Sequence, residues 1–195
     1  MTKAERTRQF IIEKAAPIFN QKGIAGTSMS DIMEATKLAK GGLYGNFDSK
    51  ETLCLEVFIY LSNQTHDAVT KVISEKTGAK DKLYALLDFY DKRLLAGTTG
   101  GCPILNFGTE ADDTNPAMKQ KVNEAITRFK GRFSKIITDG RQNGELSEAF
   151  DAELFALKAF TMIEGAVLIS KVQSKPQYLH TIIDLLKKEV DQFVK

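Results

Sequence analysis

The chain has 195 residues, of which 43% are hydrophobic and 27% are charged, a composition typical of a globular protein rather than a disordered one. It contains no run of about 18 apolar residues and no apolar signal core near the N-terminus, so we expect a cytoplasmic protein without a membrane partner. Two cysteines and two distant histidines provide neither a disulfide framework nor the spacing of a metal site. Because no catalytic or nucleotide-binding motif is present, we predict a protein that is not an enzyme and needs no cofactor.

The net charge of +2 is unevenly distributed along the chain. Residues 1–50 contain eight Lys and Arg against five Asp and Glu, whereas the other 145 residues contain nineteen against twenty. The excess favours a polyanionic partner for the N-terminal part. On charge alone, an ordinary solvated surface is an equally good interpretation.

Apolar residues recur at helical spacing almost throughout, which predicts an all-α protein of about nine helices. The first helix covers about residues 3–21, contains Pro17, which should bend it, and stops near Gly23. A second helix begins at Ser28, whose side chain forms an approximate capping box with Asp31. The helices predicted to follow cover about residues 40–47, 49–75, 80–95, 103–110, 116–141, 151–172 and 176–194, with a glycine-rich break at 97–101.

Residues 31–47 match a helix-turn-helix, in which a second helix enters the major groove of DNA while the first crosses the backbone. In this reading Leu43 and Phe47 pack inward. The residues of the short third helix that face outward are Lys40, Gly41, Gly42, Tyr44 and Asn46. A lysine can bind phosphate or a guanine edge, a tyrosine can bind phosphate, and an asparagine can pair with adenine.

The same segment resembles the DNA-binding module of TetR/AcrR-family transcriptional regulators. The resemblance covers about residues 6–55 and rests on Lys22-Gly23, Thr27-Ser28, Asp31-Ile32, Lys40-Gly41, Leu43-Tyr44, Phe47 and Ser49-Lys50-Glu51. It implies a homodimer with a DNA-binding domain at 1–48 and a ligand-binding and dimerisation domain at 49–195. It also implies a repressor that a small molecule releases from a palindromic operator in double-stranded DNA.

Residue roles follow from the resemblance position by position. Thr27 and Lys50 are expected to contact backbone phosphates, as is Tyr44, while Lys40 faces the groove and Gly41 marks a close approach of the backbone. Ser28 joins these expected DNA contacts. For Thr27 and Ser28 the alternative is that the side chain caps a helix, and for Tyr44 that the ring is partly core.

The third helix departs from the family pattern at three positions. Ala39 stands where the family commonly has a capping Ser or Thr, so the cap is expected to be weaker. Gly42 and Gly45 stand where the family usually carries a side chain. Our hypothesis is that these glycines let the backbone lie close to DNA. The alternative is that a short helix simply tolerates them.

An aromatic-rich set at helical spacing supplies candidates for a ligand pocket. These candidates are Phe58, Leu61, Leu86, Tyr90, Phe107, Phe129, Phe133, Phe160 and Ile163. The alternative for each is plain core. Gly100-Gly101-Cys102-Pro103, followed by Asn106 and Glu110, resembles a motif of one TetR-family subgroup, some of whose members respond to electrophiles. Cys102 is therefore a further ligand candidate in a turn expected to be accessible, with a merely packing cysteine as the alternative.

The last two predicted helices carry apolar faces suited to a four-helix dimer bundle. The candidate dimer residues are Leu157, Thr161, Leu168, Ile182, Leu186 and Val190. Packing within one chain is the alternative, since surface helices need a buried face anyway. Two other functions stay open: a DNA-binding protein without an inducer, and a small helical ligand carrier or enzyme.

Overall fold

The computed structural model describes residues 1–94 and 100–195 of the chain. Within these ranges the fold is all-α, as predicted, and consists of nine helices. They are α1 (Lys3–Gly26), α2 (Met29–Thr36), α3 (Lys40–Tyr44), α4 (Lys50–Ser74), α5 (Ala79–Leu94), α6 (Pro103–Ala111), α7 (Pro116–Gln142), α8 (Ala152–Val172) and α9 (Gln177–Asp191). None of these helices is long and apolar enough to cross a membrane.

Polar side chains at the helix starts explain why the N-terminal helices begin where they do. Thr2 and Glu5 form a complete capping box for α1, and Ser28 and Asp31 form one for α2. Ser49 caps α4, because its hydroxyl accepts a hydrogen bond of 3.1 Å from the backbone N–H of Thr52. Each cap satisfies amides that have no partner inside the helix.

Three helix ends differ from the sequence-based expectation, one of them that of α9, which ends at Asp191 instead of near residue 194. Helix α1 continues for one short turn beyond Gly23, whose backbone is non-helical with φ 77° and ψ 176°. Helix α3 ends at Tyr44 instead of near residue 47. The predicted helix end at Leu95 and most of the glycine-rich break at 97–101 lie outside the described residues.

The chain forms two compact units. The first combines Met1–Gln64 with Thr98–Val122, and the second combines Thr65–Gly97 with Asn123–Lys195. The predicted boundary between residues 48 and 49 coincides with the start of α4 and stays a prediction.

In the first unit, the core lies beneath the short helix α3. Five side chains with at most 1% exposure form its centre: Ile11, Phe19, Ile32, Leu43 and Phe47. Two of them, Leu43 and Phe47, point inward as predicted from their spacing of four residues. Burial of these side chains fixes which face of α3 remains outside.

In the second unit, aromatic rings form the centre of the core. The ring of Phe129 lies 4.6 Å from that of Tyr90, 5.4 Å from that of Phe133 and 5.2 Å from that of Phe160, measured between centroids. Such tilted and edge-on pairs contribute beyond their buried area. At the C-terminal end the stacked rings of Phe150 and Phe193, 4.5 Å apart, close the core.

Candidate nucleic-acid interface

The outer face of α3 presents a group of exposed residues, which we call the recognition surface: Lys40, Gly41, Gly42 and Tyr44. The side chain of Tyr44 is 40% exposed, although it lies next to the buried Leu43. The ammonium of Lys40 lies 5.8 Å from the Tyr44 ring centroid, so the two side chains share one face. Their exposure leaves both polar groups accessible to a polyanion.

The glycines of the recognition surface have no role in the packing of the chain. Apart from the backbone of its own helix and its two chain neighbours, a Cβ added at Gly41 would meet no atom of the described residues within 4 Å. One at Gly42 would, on the same terms, meet only side-chain carbons of Leu38 at 3.8 Å. Gly45 differs, because a Cβ there would lie 3.0 Å from the carbonyl oxygen of Gly41. A side chain at position 45 would therefore be crowded, whereas one at 41 or 42 would not.

The start of α3 is held more weakly than the start of α2. Ala39 occupies the N-cap of α3 and forms no side-chain hydrogen bond there, as predicted. At α2 the hydroxyl of Ser28 donates to the Asp31 carboxylate at 2.7 Å and accepts from the Asp31 amide at 3.1 Å. The capping role of Ser28 is thereby confirmed, while its contact with DNA stays a prediction.

Asp31 also binds the ammonium of Lys22, at 2.6 Å. This hydrogen bond, followed by those from the backbone and the side chain of Ser28, holds the pKa of the Asp31 carboxyl well below its usual range. The charged form of Asp31 therefore links the end of α1 to the start of α2.

The side chain of Thr27 caps a helix end within the chain, while the predicted phosphate contact of this residue stays a prediction. The residue is only 2% exposed, and its hydroxyl donates to the carbonyl of Gly23 at 2.7 Å. The physical reason is the interruption of α1 at Gly23, which leaves a carbonyl without a helical partner. Capping, the alternative stated above, is therefore the role that this hydroxyl has.

Lys50 and Asn46 also cap helix ends. The ammonium of Lys50 donates to the carbonyls of Ile24 and Thr27, at 2.9 and 3.1 Å. The side-chain amide of Asn46 donates to the Gly42 carbonyl at 2.8 Å. These bonds use two of the three ammonium protons of Lys50 and one amide proton of Asn46. Phosphate binding by Lys50 and adenine pairing by Asn46 stay predictions.

Arg8 is a structural residue of this site that the sequence analysis missed. Its guanidinium lies 4.0 Å from the centroid of the Phe47 ring, forms an ion pair with Glu56 and donates to the carbonyl of Asn46. Arg8 therefore ties the chain just after α3 to α1 and α4. The available signal was its position three and four residues before the buried Ile11 and Ile12, which puts a cation on an apolar helix face.

The predicted ligand residues are mostly buried. Phe58 and Phe107 contact each other within the first unit, with ring centroids 5.3 Å apart. Leu86, Tyr90, Phe129, Phe133 and Ile163 are buried in the second unit, whereas Leu61 and Phe160 are partly exposed. Because a core and a closed pocket both bury such side chains, ligand contact stays a prediction for this set.

Cys102 is buried, with 5% exposure, and the expectation of an accessible turn is therefore wrong. Cys102 is the N-cap of α6. Gly101 just before it and Asn106 one turn after it form hydrogen bonds with Asn20, so α1 lies against this turn. Cys54 is buried, and desolvation raises the pKa of its thiol to about 12. The described residues contain no cluster of three or more His, Cys, Asp or Glu that could hold a metal ion.

The predicted dimer residues fall into two groups. Leu157 and Leu168 of α8 are 49% and 51% exposed, and Thr161 between them is exposed as well. Leu186 and Val190 of α9 are fully buried within the single chain, which corrects their assignment to a dimer face. The apolar side of α9 packs inside the chain, so these two residues are core. Ile182 is half-buried.

Comparisons with known proteins agree with this geometry. Residues 11–57 match the family of bacterial regulatory proteins described as the tetR family, and residues 79–186 match the tetracyclin repressor-like C-terminal domain. The chain is 22% identical over 180 residues to the HTH-type transcriptional repressor DhaR of Mycobacterium sp. (strain GP1), covering 92% of this chain and 89% of that protein.

Two solved structures cover the whole chain. A TetR-family transcriptional regulator from Cytophaga hutchinsonii is 35% identical, with a TM-score of 0.91 over 100% of this chain and 98% of that one. A TetR transcriptional regulator from Chloroflexus aurantiacus J-10-fl is 32% identical, with a TM-score of 0.94 over 100% of both chains. Sequence, geometry and these comparisons together place the chain in the TetR family of transcriptional regulators.

Proposed function

We propose that this regulator is a homodimeric repressor that binds a palindromic operator through its recognition surface and leaves it when a small molecule binds. The observation that carries the proposal is the recognition surface itself. Lys40 and Tyr44 are exposed on a short helix whose other side is anchored in the core through Leu43. Exposed cationic and hydroxyl groups on a rigidly held helix are what phosphate and groove contacts require.

The exposed side of α8 supports the homodimer. Leu154, Leu157, Leu168 and Val172 are between 49% and 75% exposed, an unusual concentration of large apolar side chains along one helix. Two copies of such a face bury each other around a two-fold axis. To read a palindrome, the two recognition surfaces of such a dimer must lie roughly one DNA turn apart, about 34–36 Å, or slightly more.

Two further features support repression and release. DhaR, which the chain resembles along most of its length, is named a repressor. The aromatic cluster around Phe129 offers rings to an apolar or aromatic ligand, and displacement of such rings would change how the adjoining helices pack.

DNA selected from a random pool with the wild-type protein tests the DNA-binding step. We expect enrichment of a palindrome, and we expect Tyr44→Phe and Lys40→Met each to weaken binding to it. Enrichment of no sequence at all would refute DNA recognition, and enrichment of a sequence without two-fold symmetry would refute the palindrome.

Sedimentation equilibrium tests the homodimer. We expect a dimer at micromolar concentration for the wild type and a folded monomer for Leu168→Glu, since a charge on the exposed face of α8 cannot be buried without a partner. Thr138→Glu is the control, because it adds the same charge at another exposed position of a long helix. A wild-type monomer, or a dimeric Leu168→Glu, would contradict the proposal.

A further inference from the structure

Helix α6 is joined to the end of α1 by a network of polar contacts that we call the α1–α6 junction. On the α1 side it consists of Asn20 and Gly23. On the α6 side it consists of Gly100, which precedes α6, and of Asn106 and Glu110 within α6. All five residues belong to the first compact unit. The three on the α6 side come from the motif that the sequence analysis associated with ligand response.

Glu110 caps the last turn of α1. Its two carboxylate oxygens accept hydrogen bonds from the backbone amides of Ile24 and Ala25, both at 2.8 Å. The positive φ of Gly23 interrupts the helix just before these amides, so they need an acceptor from elsewhere. A Cβ at Gly23 would overlap a carboxylate oxygen of Glu110. The backbone conformation therefore favours glycine there, and any larger residue would also displace this carboxylate.

Asn106, one helical turn before Glu110, binds the preceding turn of α1. Its amide nitrogen lies 2.8 Å from the carbonyl oxygen of Asn20 and 3.0 Å from the side-chain oxygen of that residue. Asn20 is only 3% exposed and in turn donates to the carbonyl of Gly101 at 3.2 Å. Hydrogen bonds therefore run in both directions between α1 and the segment 101–106 and are at least partly buried, so they hold one orientation of α6 against α1.

Gly100 allows the chain to come this close. Its φ is +76°, and a Cβ there would lie 2.6 Å from the carbonyl oxygen of Asn20. Pro103 then starts α6 in the first-turn position, where its missing N–H is not needed. The spacing of Asn106 and Glu110 puts both side chains on one face of α6. The Gly-Gly-Cys-Pro motif and the two polar residues after it thus act together to pack α6 against the end of α1.

We propose that Asn106 and Glu110 are positioning residues for DNA binding. They fix the turn at 24–26, from which the chain passes through Thr27 and Ser28 into α2. That turn also supplies the Ile24 carbonyl to the ammonium of Lys50 at the start of α4. The junction therefore fixes the direction in which α2 and α3 leave α1, without contributing a group that touches DNA.

The proposal rests on the proposed function, because it concerns a dimer that reads two half-sites. If α2 and α3 are held in one direction, the dimer binds half-sites at one separation. If α2 and α3 can rotate, it binds half-sites at several separations. Loss of the junction should therefore relax the preference for spacing. The contacts of Lys40 and Tyr44 with each half-site should persist, as should the dependence of affinity on salt.

The experiment uses the palindrome selected by the wild-type protein and two altered fragments, with one base pair added to or removed from its centre. For the wild type we expect the altered spacing to weaken binding by about tenfold, the scale of one wrong base pair. For Glu110→Gln and Asn106→Ala we expect this factor to fall below about threefold, with an unchanged salt slope. In Glu110→Gln, hydrogen exchange at the Ile24 and Ala25 amides should also accelerate.

Asp151→Asn is the matched control. Asp151 is likewise a carboxylate that accepts two backbone amides at a helix start, those of Glu153 at 3.1 Å and Leu154 at 3.0 Å, but it lies in the second unit. Its substitution should lower stability and leave the spacing preference intact. Wild-type discrimination in Glu110→Gln would overturn the proposal, even with faster amide exchange, since the residue would then be structural only.

Failure of the proposed function gives a different result. In that case the wild type itself selects no palindrome, whatever the variants do. Unchanged exchange at Ile24 and Ala25 in Glu110→Gln would separately overturn the role of the junction in holding this turn.

Discussion

The guanidinium of Arg8 covers one face of the Phe47 ring at 4.0 Å while it forms an ion pair with Glu56. Phe47 lies in the core beneath α3, and Glu56 belongs to α4. The guanidinium of Arg8 thus holds the segment just after α3 against α4. Stacking of this kind suits arginine, whose planar group can bind a carboxylate and an aromatic face together.

Substitution of Arg8 should loosen α3 and weaken DNA binding, although Arg8 lies on α1 and outside the recognition surface. We expect Arg8→Ala to lower the free energy of unfolding by about 1–2 kcal/mol through loss of the stacked cation and its ion pair. Arg8→Lys should recover the charge but only part of the stability, because an ammonium cannot form the same fork. Chemical denaturation measures both variants, and a double-mutant cycle with Glu56→Ala isolates the ion pair. Equal stability of Arg8→Lys and wild type would contradict the stacking argument.

Substitution of Gly41 and Gly42, which the packing of the chain does not explain, should change stability and DNA affinity in opposite directions. Gly41→Ala and Gly42→Ala each add a methyl group without a clash, so each should raise the free energy of unfolding by about 0.5–1 kcal/mol. The same methyl groups should weaken binding to the selected DNA on the order of tenfold, the scale of one good base contact, if the backbone lies against the groove there.

Gly131→Ala provides the control for this pair. Gly131 lies inside α7, and a Cβ there would also have no other atom within 4 Å. We expect a similar gain of stability from Gly131→Ala with unchanged DNA affinity. If Gly41→Ala and Gly42→Ala behave like Gly131→Ala, the hypothesis of a close backbone approach is wrong.

Lys40 and Lys50 should respond differently to removal of the charge. Lys40→Met should leave stability unchanged but reduce the slope of log affinity against log salt by about 1, because an exposed phosphate contact releases one counterion. Lys50→Met should lower the free energy of unfolding by about 1–2 kcal/mol, because the carbonyls of Ile24 and Thr27 lose a charged donor. Denaturation and salt titration of both variants measure this contrast. A Lys50→Met variant of unchanged stability would show that capping is not its main role.

Local features of α2 and α3 could be predicted from the sequence because they depend on neighbouring residues. The capping box of Ser28 and Asp31 joins two residues that are three apart in sequence, and the burial of Leu43 and Phe47 follows from helical periodicity. The uncapped start at Ala39 is equally local. None of these features needs information from a distant part of the chain.

Most of the contacts that the sequence could not predict join residues far apart in the chain. Lys50 bonds to a carbonyl 26 residues earlier, and the covered turn at Cys102 depends on Asn20, which bonds to Asn106 across 86 residues. The dimer residues illustrate a related ambiguity. Leu168 and Leu186 both lie on apolar helix faces, but only the fold decides that the first is exposed and the second is core.

The Asp31 carboxylate should make the stability of the head depend on pH. Its pKa in the folded chain lies well below its ordinary value of about 4, because Lys22 and Ser28 hydrogen-bond to the charged form. A folded pKa below the unfolded one means that the contribution is fully present above pH about 4 and is lost as the pH falls further. At neutral pH we therefore expect Asp31→Asn to be less stable than the wild type, and the difference should shrink as the pH is lowered below about 4. Denaturation of both proteins across this range provides the measurement, with Asp31→Asn expected to lose less stability on acidification. A difference that grows as the pH falls would have the wrong sign and would show that Asp31 is not stabilised in its charged form.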